Sequence, residues 1–249
     1  MQKTSISDNF YYPSIVSEAV SNENIFNIFK SHSSYTSILE HVSYEDGLSY
    51  LSIIENEYDF LLNNFEKYKT NDIIGSPIKH NYKYGMMSPT TLRYIKVMGD
   101  LINYFGNLDG LDIVEIGCGY GGQCKIILDT YNVKSYTLID LPNVLELTKK
   151  YLLSLNIDIS NILFKDISQL TDNEKYDLFI SNYAYTECID EIREIYANKV
   201  LYKSKMGYLT ANFLSPEILD KEITDKIEKT FKVKETPHTG DGNVIFIWK

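Results

Sequence analysis

The sequence predicts an α/β fold: a doubly wound, mostly parallel sheet with a terminal antiparallel strand and an N-terminal helical extension. Three observations predict it. Hydrophobic spacing is helical up to about residue 110, then alternates between short apolar strands and helices. A glycine-rich stretch, Gly117 to Gly122, stands at the first strand-to-helix turn. The last two strands have too few residues between them for a crossover, so they must run antiparallel.

Taken in order, residues 15–30 and 35–42 read as short helices. Residues 45–70 carry Leu48, Leu51, Ile54, Tyr58, Leu61, Leu62 and Phe65 at three- and four-residue spacing, the stripe of one amphipathic helix. Residues 71–85, with Gly75 and Pro77, read as a loop. Ser88-Pro89 opens the next helix, because serine caps free N–H groups and proline suits the first turn. Its stripe is Leu92, Ile95, Met98, Leu101, Ile102 and Phe105, and Gly106 ends it. Strands follow at Asp112–Ile116, Ser135–Ile139, 161–165, 176–181, 207–213, 231–235 and 243–248. Helices are expected between them at 121–131, Pro142–Ser154, 188–203 and 217–229. The organisation is a helical region and substrate lid over 1–87 and a sheet domain over 88–249.

Composition narrows the function. A chain of 249 residues, 44% hydrophobic and 23% charged, can bury one sizeable core and is neither disordered nor of low complexity. Lys+Arg 24 against Asp+Glu 34 gives a net charge of −10. Such a surface repels phosphate backbones and anionic lipid, which argues against a nucleic-acid polymer or a membrane as partner. Cys118, Cys124 and Cys188 form no C-x-x-C pair and read as reduced thiols of a cytoplasmic protein, without disulfides or zinc. The N-terminal stretch lacks the apolar core of a signal peptide, and no apolar run approaches the roughly 18 residues of a membrane span. There are 21 tyrosines but only two arginines, Arg93 and Arg193.

The decisive stretch is Val114-Glu115-Ile116-Gly117-Cys118-Gly119-Tyr120-Gly121-Gly122-Gln123. Glycines at a strand-to-helix turn let the backbone approach a ligand and leave helix N–H groups pointing at it. Gly117, Gly119 and Gly122 also satisfy G-x-G-x-x-G, so an NAD-type dinucleotide oxidoreductase is an alternative. Asp140 ends the second strand, where an acid accepts hydrogen bonds from both ribose hydroxyls. Together these features point to a nucleoside-bearing cofactor at the ends of strands one and two.

Glu115 ahead of the glycines gives E-x-G-x-G, which resembles motif I of the Rossmann-like class I S-adenosylmethionine-dependent methyltransferases. The acid closing Phe164-Lys165-Asp166 and the final antiparallel pair match that family too. The chain further resembles the bacterial sugar O-methyltransferase family of surface-polysaccharide loci. That likeness lies in Ser88-Pro89-Thr90-Thr91-Leu92-Arg93-Tyr94, residues 114–124, Thr137-Leu138-Ile139-Asp140-Leu141-Pro142 and Ser181-Asn182-Tyr183-Ala184-Tyr185-Thr186-Glu187. The resemblance implies S-adenosylmethionine as cofactor. It implies that Glu115, Gly117 and Gly119 shape the pocket for the methionine half, Asp140 with Leu141 holds the ribose, Asp166 with Ile167 the adenine, and Asn182 lies beneath the methionine. Asp140 and Asp166 also suit plain caps of the turns that follow them. Cys118 reads as a small residue filling a tight turn.

The acceptor that the resemblance implies is a sugar hydroxyl, with another small molecule as the alternative. Asn182-Tyr183-Ala184 lacks the prolines of nucleic-acid amino methyltransferases. Asn182 and Ala211-Asn212 offer only half of the magnesium site of catechol-type enzymes, so no metal is expected. Lys79, His80 and Lys83, interleaved with Tyr82 and Tyr84, suggest a lid that grips a nucleotide-sugar diphosphate, with Tyr185 facing the sugar. Arg93 suggests bidentate binding of the methionine carboxylate or a substrate phosphate, whereas Arg193 reads as a helix-surface ion pair. His238, oriented by Asp241 in the last connection, is the expected base, with Glu187 as competitor and His80 or Asp190 behind it. His32 and His41 are expected to be structural. A homo-oligomer is compatible with the sequence.

Overall fold

The computed structural model describes residue 5 and residues 11–212, 216–237, 239–240 and 242–249. Seven strands form the central sheet: β1 Asp112–Ile116, β2 Ser135–Ile139, β3 Ile162–Lys165, β4 Tyr176–Asn182, β5 Ser204–Ala211, β6 Phe231–Lys234 and β7 Val244–Trp248. Their spatial order is β3-β2-β1-β4-β5-β7-β6. The first five run parallel, and β7 is antiparallel to both of its neighbours. The expected reversed strand is therefore inserted between β5 and β6. Order reverses at β1, so the loops after β1, β2 and β4 open a crevice at the carboxyl edge, the place where such sheets bind ligands.

Strand alternation sends the two sides of the sheet into two cores. Ile113, Tyr136, Leu138, Ile180, Tyr208 and Ile247 pack under the N-terminal helices, whereas Val114, Ile139, Phe179, Leu209, Phe246 and Trp248 pack on the other face. The helices used below are α1 Tyr11–Ser21, α2 Tyr44–Glu57, α3 Pro89–Phe105, α4 Gly122–Leu128, α5 Pro142–Ser154 and α6 Asp190–Lys199. Ser88 caps α3 through its Oγ, which accepts the Thr91 N–H at 3.2 Å, and Pro89 stands in the first turn as its sequence requires. Helix α1 docks on α5, where Asn143 Nδ2 and Lys150 Nζ donate to the carbonyls of Pro13 and Ala19. Among the described residues no helix is long and apolar enough to cross a membrane.

Three expectations need correction. The stripe over 45–70 is not one helix, because α2 stops at Tyr58. That ring is wedged onto Gly99 of α3, leaving no room for a Cβ there, and the chain continues as 3-10 turns over Asp59–Asn64. Residues 71–85 are not a plain loop, since His80–Tyr82 pairs with Gly85–Met87 in a short antiparallel ribbon. The expected helix over 217–229 is reduced to one turn, Pro216–Leu219, continued as a π-type turn over Asp220–Thr224.

Buried polar groups join the layers. Asp100 accepts hydrogen bonds from Tyr58 OH at 2.7 Å, Tyr208 OH at 2.6 Å and Lys96 Nζ at 2.7 Å, linking the α2 terminus, α3 and β5. Lys96 and Asp100 are both buried, so removing one partner strands a charge. Asp100→Ala is therefore expected to lower unfolding stability by about 3–5 kcal/mol in urea titration; a loss under about 1 kcal/mol would show that this cluster does not hold the layers.

Candidate functional site

The crevice at the carboxyl edge is a cavity of about 820 Å³, within the roughly 300–1,000 Å³ of small-molecule sites. Its floor is the loop after β1. Gly117 takes φ +78°, and a Cβ on it would lie 2.0 Å from the Cβ of Ala184 in the loop after β4. Glycine is required there by both backbone and space. Gly119, at φ +54°, turns its N–H toward Asp140.

Asp140, at the end of β2, is fixed at both oxygens. Gly119 N–H donates to Oδ2 at 3.1 Å and Leu141 N–H to Oδ1 at 2.8 Å. Burial pushes the carboxyl up to about 6, against the pull of those backbone donors. Asp166, at the end of β3, caps the turn Ile167–Gln169 through Oδ1, which accepts from Ser168 N at 2.8 Å. Its side chain also takes the Gln169 N–H while the Gln169 side chain accepts the Asp166 N–H at 2.8 Å, a reciprocal capping box. Leu141, Ile167, Ile192 and Tyr196 make this end of the cavity apolar.

The other end lies beyond the glycine loop, where β4 and β5 finish. Asn182, Tyr183, Glu187, Asn212, Thr239 and Asn243 line it. Asn212 Nδ2 donates to Glu187 Oε1 at 3.2 Å and Thr186 Oγ1 to Asn212 Oδ1 at 2.7 Å, which orients the Glu187 carboxylate. Tyr183 donates through its hydroxyl to Glu235, which also accepts from Thr239 Oγ1 at 2.6 Å. Arg93 of α3 reaches the cavity between the rings of Tyr94 and Tyr183. The roof comes from the helical region: Tyr12, residues 37–39, His41, Val42, Asp46 and Tyr50. Burial first, and then the Arg93 charge, hold the His41 imidazole below its ordinary value, while Glu187 opposes them. Among the described residues no cluster of three His, Cys, Asp or Glu side chains could hold a metal ion.

The structure thus brings together Gly117, Gly119, Asp140, Leu141, Asp166, Ile167, Asn182, Arg93 and Glu187. It puts other sequence candidates elsewhere. Glu115 does not line the cavity; its carboxylate is buried beneath the loop and accepts from Tyr136 OH at 2.8 Å. Lys83 and Tyr84 are drawn to Glu55 of α2, at 2.5 and 2.8 Å, and His80 packs on the Tyr44 ring. Lys79 is exposed, and none of this basic ribbon lines the cavity. Tyr185 is corrected as well. Positive φ at Tyr183 starts the turn Ala184–Glu187, which carries the Tyr185 ring into the opposite core with its hydroxyl on Glu222. Arg193 is not a surface residue: it is buried, with Nε on Glu222 at 2.9 Å and Nη2 on Asp190 at 2.9 Å. His238 and Asp241 lie outside the described residues. His41, Tyr12 and Tyr50 escaped the sequence reading because long-range docking of the helical region brings them here, and no local pattern marks that.

No protein-family model matches the chain. The malonyl-(acyl-carrier protein) O-methyltransferase of Acetivibrio thermocellus is 30% identical over 108 residues, 40% of this chain; the chain spans about 37% of the length of that relative. Magnesium protoporphyrin IX methyltransferase from Synechocystis PCC 6803, solved with bound S-adenosylmethionine, superposes with a TM-score of 0.51 at 13% identity. It covers 83% of this chain and 97% of its own. The methyltransferase domain of bacterial CtHen1-CN gives a TM-score of 0.50 at 12% identity, covering 63% of this chain and 97% of its own. The fold is that of a Rossmann-like class I methyltransferase. The strand order and the inserted antiparallel β7 are its frame, and residues 37–50 of the helical region cover the cavity on that frame.

Burial pushes the Glu115 carboxyl up to about 8, partly offset by the Tyr136 hydroxyl. A carboxyl raised in the folded state supports folding fully only below its unfolded value, and that support is lost as pH rises toward 8. Glu115→Gln keeps an acceptor for Tyr136 and removes the titration. Its melting temperature relative to wild type should therefore climb between pH 5 and pH 8; a difference that stays flat would contradict a buried, proton-requiring Glu115.

Proposed function

We propose that this protein is an S-adenosylmethionine-dependent O-methyltransferase acting on a hydroxyl of a small-molecule acceptor. A sugar, in nucleotide-activated form for capsular or other surface polysaccharide made in the cytoplasm, is the acceptor class that the sequence resemblance favours. The observation that carries the cofactor reading is Asp140, anchored by the Gly119 and Leu141 N–H groups and facing the cavity at the end of β2. The set fits: a carboxylate for ribose hydroxyls, Asp166 in the cavity wall for an adenine amino group, and Leu141 and Ile167 to enclose the base. Gly117 leaves open the space that a Cβ would fill. The Acetivibrio relative is an O-methyltransferase, which agrees with an oxygen acceptor.

When bound, the cofactor supplies a sulfonium methyl that is reactive in itself, so the chain must orient the acceptor, exclude water and take a proton. The roof over 37–50 excludes water. Asn182, Asn212 and Thr239 offer hydrogen bonds to acceptor hydroxyls at the β4–β5 end. His41 and Glu187 line that end as well, and either can accept the hydroxyl proton. His41 is suited to it because burial and the Arg93 charge favour its unprotonated form, the form that accepts a proton. His238 remains a third candidate, since its neighbours Thr239 and Gly240 line the cavity. With the basic ribbon outside the cavity, a diphosphate grip by Lys79 and Lys83 has no support, and the sugar itself is the part that the cavity accommodates.

S-adenosylhomocysteine should raise the melting temperature and NAD should not. Asp140→Ala should cost roughly 3–6 kcal/mol of S-adenosylhomocysteine binding, two hydrogen bonds to a charged acceptor. Because the ionised carboxylate is what binds, wild-type affinity should fall as pH drops below about 6. Stabilisation by NAD alone, or unchanged affinity in a folded Asp140→Ala, would overturn the cofactor reading. Mass spectrometry of S-adenosylmethionine with sugars and nucleotide sugars, seeking the gain of one methylene, tests the acceptor.

A further inference from the structure

A buried carboxylate stands behind the β4–β5 end of the cavity without a cation. Glu235 follows β6 and is 6% exposed. Its Oε1 accepts from the Tyr183 hydroxyl. Its Oε2 accepts from Thr239 Oγ1 at 2.6 Å, from Thr239 N–H at 3.3 Å and from Asn243 Nδ2 at 3.0 Å. None of these donors is charged, and among the described residues Glu235 makes no ion pair. Fastening the connection between β6 and β7 needs no charge, and an uncompensated buried carboxylate is costly to keep.

Tyr183 carries a second cost at the same place. It takes φ +70°, a region that aromatic residues rarely enter. The turn is held by Tyr183 N–H on the Thr210 carbonyl at 2.9 Å and by Thr186 Oγ1 on the Tyr183 carbonyl at 2.8 Å. What the strain achieves is placement: Tyr183 lines the cavity beside Thr239 and Asn243, with its hydroxyl hydrogen on Glu235. The phenol oxygen keeps only lone pairs for a ligand, so it takes a hydroxyl hydrogen rather than giving one. Burial pushes the phenol well above its ordinary value; the Arg93 charge opposes that and the Glu235 charge adds to it. Tyr183 therefore enters the reaction protonated, and it can receive a proton only while handing its own to Glu235.

We propose that Tyr183 and Glu235 form a proton relay, in which Tyr183 touches the acceptor hydroxyl and Glu235 is the terminal proton acceptor. This inference rests on the O-methyltransferase reading above and assigns the proton to this route ahead of the direct ones through His41 and Glu187. As the acceptor oxygen bonds to the methyl carbon, the electron pair of the breaking S–C bond goes to sulfur. The acceptor proton passes to the Tyr183 oxygen while the Tyr183 proton passes to Glu235 Oε1. A methyl ether, a thioether, an unchanged tyrosine and a protonated Glu235 result. The sulfonium and the carboxylate both lose their charge in this step, and a site that excludes water favours such neutralisation.

Single-turnover methyl transfer on the full chain tests this, with S-adenosylmethionine and a panel of hydroxyl acceptors: UDP-glucose, GDP-mannose and molar glycerol. Tyr183→Phe keeps the ring under Arg93 and removes the relay, whereas Glu235→Gln keeps an acceptor for Tyr183 and removes the proton sink. Each should lower the transfer rate at saturating acceptor by roughly 10²- to 10⁴-fold. Calorimetric affinity for S-adenosylhomocysteine and the half-saturating acceptor concentration should stay within about threefold of wild type, a split that a merely structural role would not give. Because the two groups act in series, the double variant should lose no more than the worse single one. A rate within about threefold of wild type in Tyr183→Phe, or losses that multiply in the double variant, overturns the relay. Absence of methyl gain by every acceptor with the wild type overturns the acceptor reading instead.

Discussion

The loops after β1 and β4 cross at Gly117 and Ala184 with no space for another carbon, and the geometry of the cavity follows from that crossing. Ser181 fastens it: its Oγ donates to the Ile116 carbonyl at 3.1 Å and accepts the Tyr185 N–H at 3.1 Å. With the two loops locked, Gly119 can only present its N–H toward β2, where Asp140 receives it. On the other side Tyr183 is turned outward under Arg93 while Tyr185 is turned inward. One steric constraint thus sets which side chains line the cavity and which become core. A tight backbone crossing of this kind is cheap in side-chain entropy, because glycine, alanine and serine have few rotamers to lose.

The helical region is joined to the sheet through buried polar groups as well as apolar ones. Asn71 donates to Thr91 Oγ1 at 2.7 Å and accepts from Tyr151 OH at 2.7 Å, and Asp72 accepts from the backbone N–H and the hydroxyl of Ser88. Lys30 lies between the Tyr120 and Tyr151 rings at 3.8 and 4.6 Å, and burial pushes its ammonium down to about 8. Such networks cost stability wherever a member is unsatisfied, and they fix register wherever all are satisfied. Here they fix residues 37–50 above the glycine loop, with Leu39 over Gly119. Several tyrosines suit this arrangement: Tyr58, Tyr151 and Tyr208 each bury a ring and spend the hydroxyl on a polar partner.

What was legible in the sequence follows the range of the forces involved. Ser135–Ile139 and Pro142–Ser154 were readable to the residue, because apolar runs and an N-terminal proline are local signals. The glycine-loop end of the cavity was readable for the same reason: Gly117, Gly119, Asp140 and Asp166 stand at fixed offsets from strand ends, and all four line it. The other end was not. Tyr185 looked like a site residue until the turn at Tyr183 rotated it, and the basic ribbon looked like a lid until Glu55 claimed Lys83 and Tyr84. His41 and Tyr50 reach the cavity from segments more than 60 residues upstream of the glycine loop, a relation that only packing creates. Glu115, whose motif position suggested the pocket, faces the core instead because β1 alternates and Tyr136 offers it a partner.

The central claim is that one ligand occupies the space between the glycine loop and the N-terminal roof. Hydrogen exchange of the full chain, with and without S-adenosylhomocysteine, measures it most directly. Residues 37–50 and the loops after β1 and β2 are remote in sequence, and only a ligand touching both slows both. The account predicts slower exchange in the roof and at Gly119 and Leu141 together. Saturated ligand that slows the loops while the roof exchanges as in the free protein would contradict it.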